Sequence, residues 1–76
     1  MFEKEIRLNR IEDVKGFVEK AMLCNFDIDL RSGKYTVNGK SIMGIFSLDL
    51  TSPLTVAASC DANDPKLLEL VEPYLA

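Results

Sequence analysis

Apolar and polar positions alternate at the start of the chain and then change period. Phe2, Ile6 and Leu8, with Lys4 among them, alternate with Glu3, Glu5 and Arg7, which predicts a first strand with one mostly apolar face. From Val14 the apolar set becomes Val14, Phe17, Val18, Ala21 and Met22, the i, i+3, i+4, i+7, i+8 stripe of a helix lying on a core. Asn9 followed by Glu12 reads as a capping box, and Glu12 and Asp13 sit where the helix dipole favours acids. The predicted helix runs from about Arg10 to Leu23.

Period two returns at Phe26, Ile28 and Leu30, which alternate with Asp27, Asp29 and Arg31; "SGK" at 32–34 supplies a turn, and Tyr35, Thr36 and Val37 favour strand. These segments predict a hairpin. Ser41 to about Leu50 predicts a short helix, weakened by Gly44, and "LTVAAS" from Leu54 to Ser59 predicts a fourth strand. The last helix is marked by Asp64 as N-cap and Pro65 at the first helical position, with Leu67, Leu68, Leu70, Val71 and Leu75 inward and Pro73 bending its final turn. The order β-α-β-β-α-β-α predicts an α+β open-faced sandwich: four antiparallel strands with three helices on one face. Val14, Phe17, Val18, Ile28, Leu30, Val56, Leu67 and Val71 are its expected core.

The chain of 76 residues, 47% of them hydrophobic, is expected to form one domain over 1–76 with a thin core, since a chain this short buries only about 60% of its unfolded surface. Nine basic against twelve acidic residues give a net charge of −3, with the basic residues scattered, so a polyanion meets repulsion and nucleic acid is not expected as a partner. No run approaches the ~20 apolar residues of a spanning helix, and "MFEKEIRLNR" lacks the apolar region of a signal peptide. The expectation is a cytoplasmic protein with no membrane partner.

The chain contains no histidine, which removes the commonest general base near neutral pH and the usual partner of a zinc site or an activated thiolate. Cys24 and Cys60 stand apart with no CxxC spacing and are expected to be buried structural thiols. No metal, cofactor or enzymatic activity is expected.

At "VNGKSIMGIFSLDL", residues 37–50, the sequence resembles HPr, the phosphocarrier protein of the bacterial sugar phosphotransferase system. The resemblance rests on "KSIMG" followed by Ser47-Leu48, on "DIDL" and on "VN" at 37–38 at the expected spacing, and on the order of elements; it spans nearly the whole chain. The family carries a phosphoryl group on a histidine at the start of its first helix, in an HxRP arrangement. Counting back from "KSIMG" without a gap sets Arg10 at the histidine, Glu12 at the arginine and Asp13 at the proline. A guanidinium is protonated and non-nucleophilic, and two carboxylates replace groups that would stabilise an incoming phosphate. The resemblance therefore implies an HPr-like chain that is not a histidine phosphocarrier.

Ser41 occupies the position that, in HPr of many Gram-positive bacteria, is phosphorylated by HPr kinase/phosphorylase in the control of carbon catabolism. The resemblance implies a regulatory site at Ser41, with HPr kinase/phosphorylase or other HPr-binding regulatory proteins as partners. HPr-like proteins of bacilli that lack the carrier histidine and keep the serine set the precedent. Ile42, Met43, Ile45 and Phe46 offer a docking patch beside it, one face of which packs into the core while the rest stays exposed. Serine is also among the best N-caps, worth about 1 kcal/mol with or without a kinase. The leading expectation is a carrier-dead interaction module, either regulated at Ser41 or acting unphosphorylated as a partner or decoy, monomeric or weakly dimeric. Two alternatives remain: an orphan structural remnant in which Ser41 is a cap only, and phosphotransfer through Asp13, Cys24 or a serine. Cys24 lies at the far end of the first helix, where the dipole gives a thiolate nothing.

Overall fold

The computed structural model describes residues 2–61 and 63–75. Its elements are β1 (Phe2–Ile6), α1 (Ile11–Met22), β2 (Ile28–Ser32), β3 (Tyr35–Asn38), α2 (Ile42–Phe46), β4 (Leu54–Ala58) and α3 (Pro65–Val71), closed by a 3₁₀ turn at Glu72–Tyr74. The predicted order is the observed one. The strands form one antiparallel sheet in the order β1-β4-β2-β3. Register sets Ile6 beside Leu54 and Leu30 beside Val56, on the face that carries the helices. Glu3, Glu5, Asp29, Arg31 and Thr36 fall on the other face, where Arg31 of β2 reaches across β4 to Glu3 of β1. β4 lies between two strands, and its burial is almost continuous along its length.

All eight expected core residues are buried, within one cluster that also takes in Ile6, Leu8, Ile45, Leu54 and Leu70. Asp64 caps α3 as expected, its carboxylate accepting from the Lys66 and Leu67 N–H groups at 2.9 and 3.4 Å. Pro73 cannot donate to the helical ladder, and the chain tightens there into the 3₁₀ turn. Gly33 supplies the positive φ of 59° that starts the two-residue turn between Ser32 and Tyr35. Gly39 passes so close to β2 that a Cβ there would lie 2.7 Å from Ile28 Cγ2.

Several boundaries differ from expectation. α1 is capped by Arg10, not Asn9, because the chain stays extended through Arg10 (φ −131°, ψ 161°); the carboxylate that turns back is Asp13, not Glu12. Met22 is 66% exposed, since the stripe is centred on Val14, Phe17, Val18 and Ala21 and Met22 falls beyond the packed edge. In α3, Leu67, Leu70 and Val71 point inward, leaving Leu68 about one helical step off that face and exposed. Leu75 is also exposed, beyond the proline, and bridges Ile6 at the sheet edge. α2 stops at Phe46, well short of Leu50. The Ser47 hydroxyl turns back to the Gly44 carbonyl, and the Asp49 carboxylate takes the Thr51 N–H at 3.0 Å, a side-chain turn that competes with further helix. Cys60 is only partly buried.

Among the described residues no helix is long and apolar enough to cross a membrane.

Candidate functional site

The counted carrier position lies at the start of α1. Arg10 is the N-cap residue, and its backbone N–H donates to Asp13 Oδ2 at 3.2 Å. Its exposed guanidinium also stands 3.6 Å from the same carboxylate. Asp13 thus folds a negative charge back over the first turn, where the dipole and free N–H groups would otherwise favour an incoming anion. Arg7, Asn9, Pro73, Tyr74 and Leu75 complete the walls of an open pocket of about 440 Å³.

The Asp13 carboxylate in that pocket is already engaged by the Arg10 N–H and guanidinium. The guanidinium of Arg10 is not a nucleophile. Tyr74 packs edge-to-face on Phe17, with ring centroids 6.1 Å apart, and burial, then the charges of Asp13 and Glu19, raise its phenol above the ordinary tyrosine value. The Lys20 ammonium lies 5.9 Å from the Tyr74 ring centroid, within cation–π range.

Ser41 begins the second helix. Its N–H donates to the Asn38 carbonyl at 3.0 Å and its Oγ accepts the Gly44 N–H at 3.2 Å, so it is the N-cap of α2. Its neighbour Lys40 is tied down at both ends: the N–H donates to Asn38 Oδ1 at 2.8 Å and the ammonium to the Cys24 carbonyl at 3.0 Å, beyond α1. The hydroxyl sits at a half-buried residue whose backbone is fixed on both sides.

The four apolar residues after Ser41 divide. Ile45 is fully buried in the core, so it offers a partner nothing; Ile42 is partly buried, while Met43 is 78% and Phe46 41% exposed. The sequence reading passed over Ile11, which is 58% exposed in the first turn of α1, a helix that packs on α2. A signal was available: Ile11 stands next to the carrier position and is off the stripe of Val14, Phe17, Val18 and Ala21.

Cys24 is buried and its thiol donates to the Lys20 carbonyl at 3.6 Å. Burial raises its pKa, outweighing the opposing pull of Lys40 and Lys66, and burial likewise raises that of Cys60, with Asp64 next. Neither thiol is an activated acceptor. The described residues hold no group of three or more His, Cys, Asp or Glu side chains placed for a metal.

No protein-family model matches the chain. No curated protein matches it. Solved structures do. HPr-C-His from Thermoanaerobacter tengcongensis superposes with a TM-score of 0.80 at 26% identity, over 95% of this chain and 89% of that one. A phosphocarrier protein HPr from Bacillus anthracis gives a TM-score of 0.74 at 26% identity, over 96% and 95%. With the "KSIMG" string opening α2 and a likeness that runs almost end to end, the chain shares the fold of these HPr proteins and is similar to them over nearly its whole length.

Proposed function

We propose that this chain is an HPr-like interaction module that does not carry phosphoryl groups on histidine, and that it works in the cytoplasm by binding proteins that recognise HPr. One observation carries the reading: the N-cap of α1, the counted carrier position, is Arg10, with the Asp13 carboxylate folded onto the helix terminus. The chain has no histidine elsewhere to take over the role. The test is incubation with the general phosphotransferase enzyme and labelled phosphoenolpyruvate, beside an ordinary HPr. The HPr becomes labelled and this protein does not; stoichiometric, acid-labile label on this protein overturns the proposal.

Ser41 is the proposed regulatory position. A phosphate there would bring a charge of about −1.5 to −2 beside Met43 and Phe46, so partners that dock on dry apolar surface are repelled and partners presenting arginines are recruited. HPr kinase/phosphorylase is the enzyme class the position suits. A second reading, Ser41 as a helix cap only, is favoured by the hydrogen bond its hydroxyl already makes with Gly44. Treatment with an HPr kinase followed by intact-mass measurement separates them: a single added phosphate on Ser41 supports regulation, and an unmodified mass leaves the cap.

A further inference from the structure

The sheet has two free edges, and they treat a second copy of the chain in opposite ways. A symmetric antiparallel pairing keeps facing side chains on one side of the sheet, so only a few registers exist for each edge. Pairing β1 with β1 about Lys4 sets Lys4 against Lys4 and Glu3 against Glu5; pairing about Glu3 sets Glu3 against Glu3. Both registers oppose like charges, and pairing about Ile6 is barred because the chain's own Leu75 already bridges Ile6 on that edge. β1 is guarded.

β3 carries no charge in its four residues, Tyr35, Thr36, Val37 and Asn38. Gly39 donates its N–H to the Ile28 carbonyl of β2 at 2.7 Å, and Val37, two residues earlier, faces Leu30 of β2. Antiparallel alternation then turns the Thr36 N–H and C=O outward, to the open edge. Two β3 strands paired about Thr36 exchange two hydrogen bonds between their Thr36 residues. On the helix side, Tyr35, which is 73% exposed, meets the partner's Val37, an aromatic pair with a β-branched residue, and does so twice by symmetry.

Charge on the open face agrees with the same register. Lys34 comes opposite the partner's Asn38, and Asp29, which pairs with Asn38 within each copy, lies two strand spacings, about 10 Å, from that Lys34. Asp29 has no cation partner among the described residues. A long basic side chain crossing one strand to a carboxylate is already present on this face, where Arg31 crosses β4 to Glu3. Lys34 therefore reaches Asp29 of the second copy, and the ion pair also forms twice.

We propose that two copies of this chain associate through their β3 edges, antiparallel about Thr36, joining two four-stranded sheets into one of eight strands. Edges of four residues bury less than the ~1,200 Å² of a standard interface, so the dimer is weak and reversible. The test is sedimentation velocity with amide NMR from about 20 µM to about 1 mM, the range in which such small interfaces dissociate. The expected results are a sedimentation coefficient rising with concentration and shifts centred on Lys34–Asn38. Thr36→Pro removes an outward N–H that has no partner within the chain, so the monomer keeps its circular dichroism and the concentration dependence disappears. Lys34→Glu weakens association by at least tenfold, and adding Asp29→Lys restores it. A monomer throughout, shifts centred on β1 or α2, or a Lys34→Glu loss that the charge swap does not repair overturns the proposal.

Discussion

At the scale of single residues, the proposed function turns on Arg10, Asp13 and Ser41. If the carrier site is lost through both the missing imidazole and the carboxylates, restoring the imidazole alone leaves the phosphate facing Asp13. Arg10→His is expected to label poorly from the phosphoenolpyruvate relay, and Arg10→His with Glu12→Arg and Asp13→Pro at least tenfold faster. Equal rates for the single and triple variants would make the carboxylates irrelevant. At Ser41, the cap hydrogen bond to Gly44 is lost in Ser41→Ala, costing about 1 kcal/mol of unfolding free energy in urea, whereas Ser41→Asp keeps an acceptor and stays within about 0.5 kcal/mol. That Arg10 and Ser41 stand at the starts of the first two helices was legible in the sequence from the change of apolar period and the "KSIMG" string. The exact cap of α1 was not, since Asn9 is a better cap by type than Arg10 and only the extended backbone at Arg10 decides between them.

At the scale of elements, hydrophobic period, β-favouring side chains and cap residues together identified every strand and α-helix, and misplaced mainly their ends. α1 shows why: Val14, Phe17, Val18 and Ala21 are buried by the sheet, but the period alone does not say where the sheet stops, and Met22 overhangs it. Phe17→Ala should cost about 3–5 kcal/mol, a large share of the ~4–11 kcal/mol that holds a chain of this length. Met22→Ala should cost less than about 0.5 kcal/mol, as a surface change does. Comparable losses in thermal denaturation would contradict the placement of the stripe. The end of α2 depends on a polar device that no hydrophobic pattern records. The Thr51 hydroxyl first, then the Thr51 N–H, hold the Asp49 carboxyl below the usual carboxylate range. A lowered folded value contributes stability above the unfolded value of about 3.9 and loses it as pH falls through the folded one. Asp49→Asn should therefore be less stable than the parent at pH 7, and the difference should shrink as pH falls below the usual carboxylate range; a gap that persists undiminished in acid would assign Asp49 some other role.

At the scale of the whole molecule, the strand order was the feature least visible beforehand. The near-continuous apolar run "LTVAA" marks a strand covered on both flanks, and β4 does take the inner place between β1 and β2, but nothing in a linear pattern names its two neighbours. The fold also decides which apolar residues remain to meet a partner. Ile45 is taken by the core, so under the proposed function recognition through the α2 face would fall to Met43 and Phe46, with Ile42 at their margin and Ile11 on the adjoining helix. Removing a well-packed anchor from an interface costs roughly 1–2 kcal/mol or more, whereas an exposed side chain contributes little to the fold. Met43→Asp and Phe46→Asp should each weaken binding to an HPr-recognising protein by at least tenfold in calorimetry. The melting temperature should stay within about 3 °C of the parent, the shift expected for surface changes of under ~0.5 kcal/mol. On the proposed function, the unaltered protein should compete with ordinary HPr for the same partner through its exposed Met43 and Phe46. Undiminished binding by both variants, or binding that adds to that of HPr instead of competing, would move the partner site off this face of the molecule.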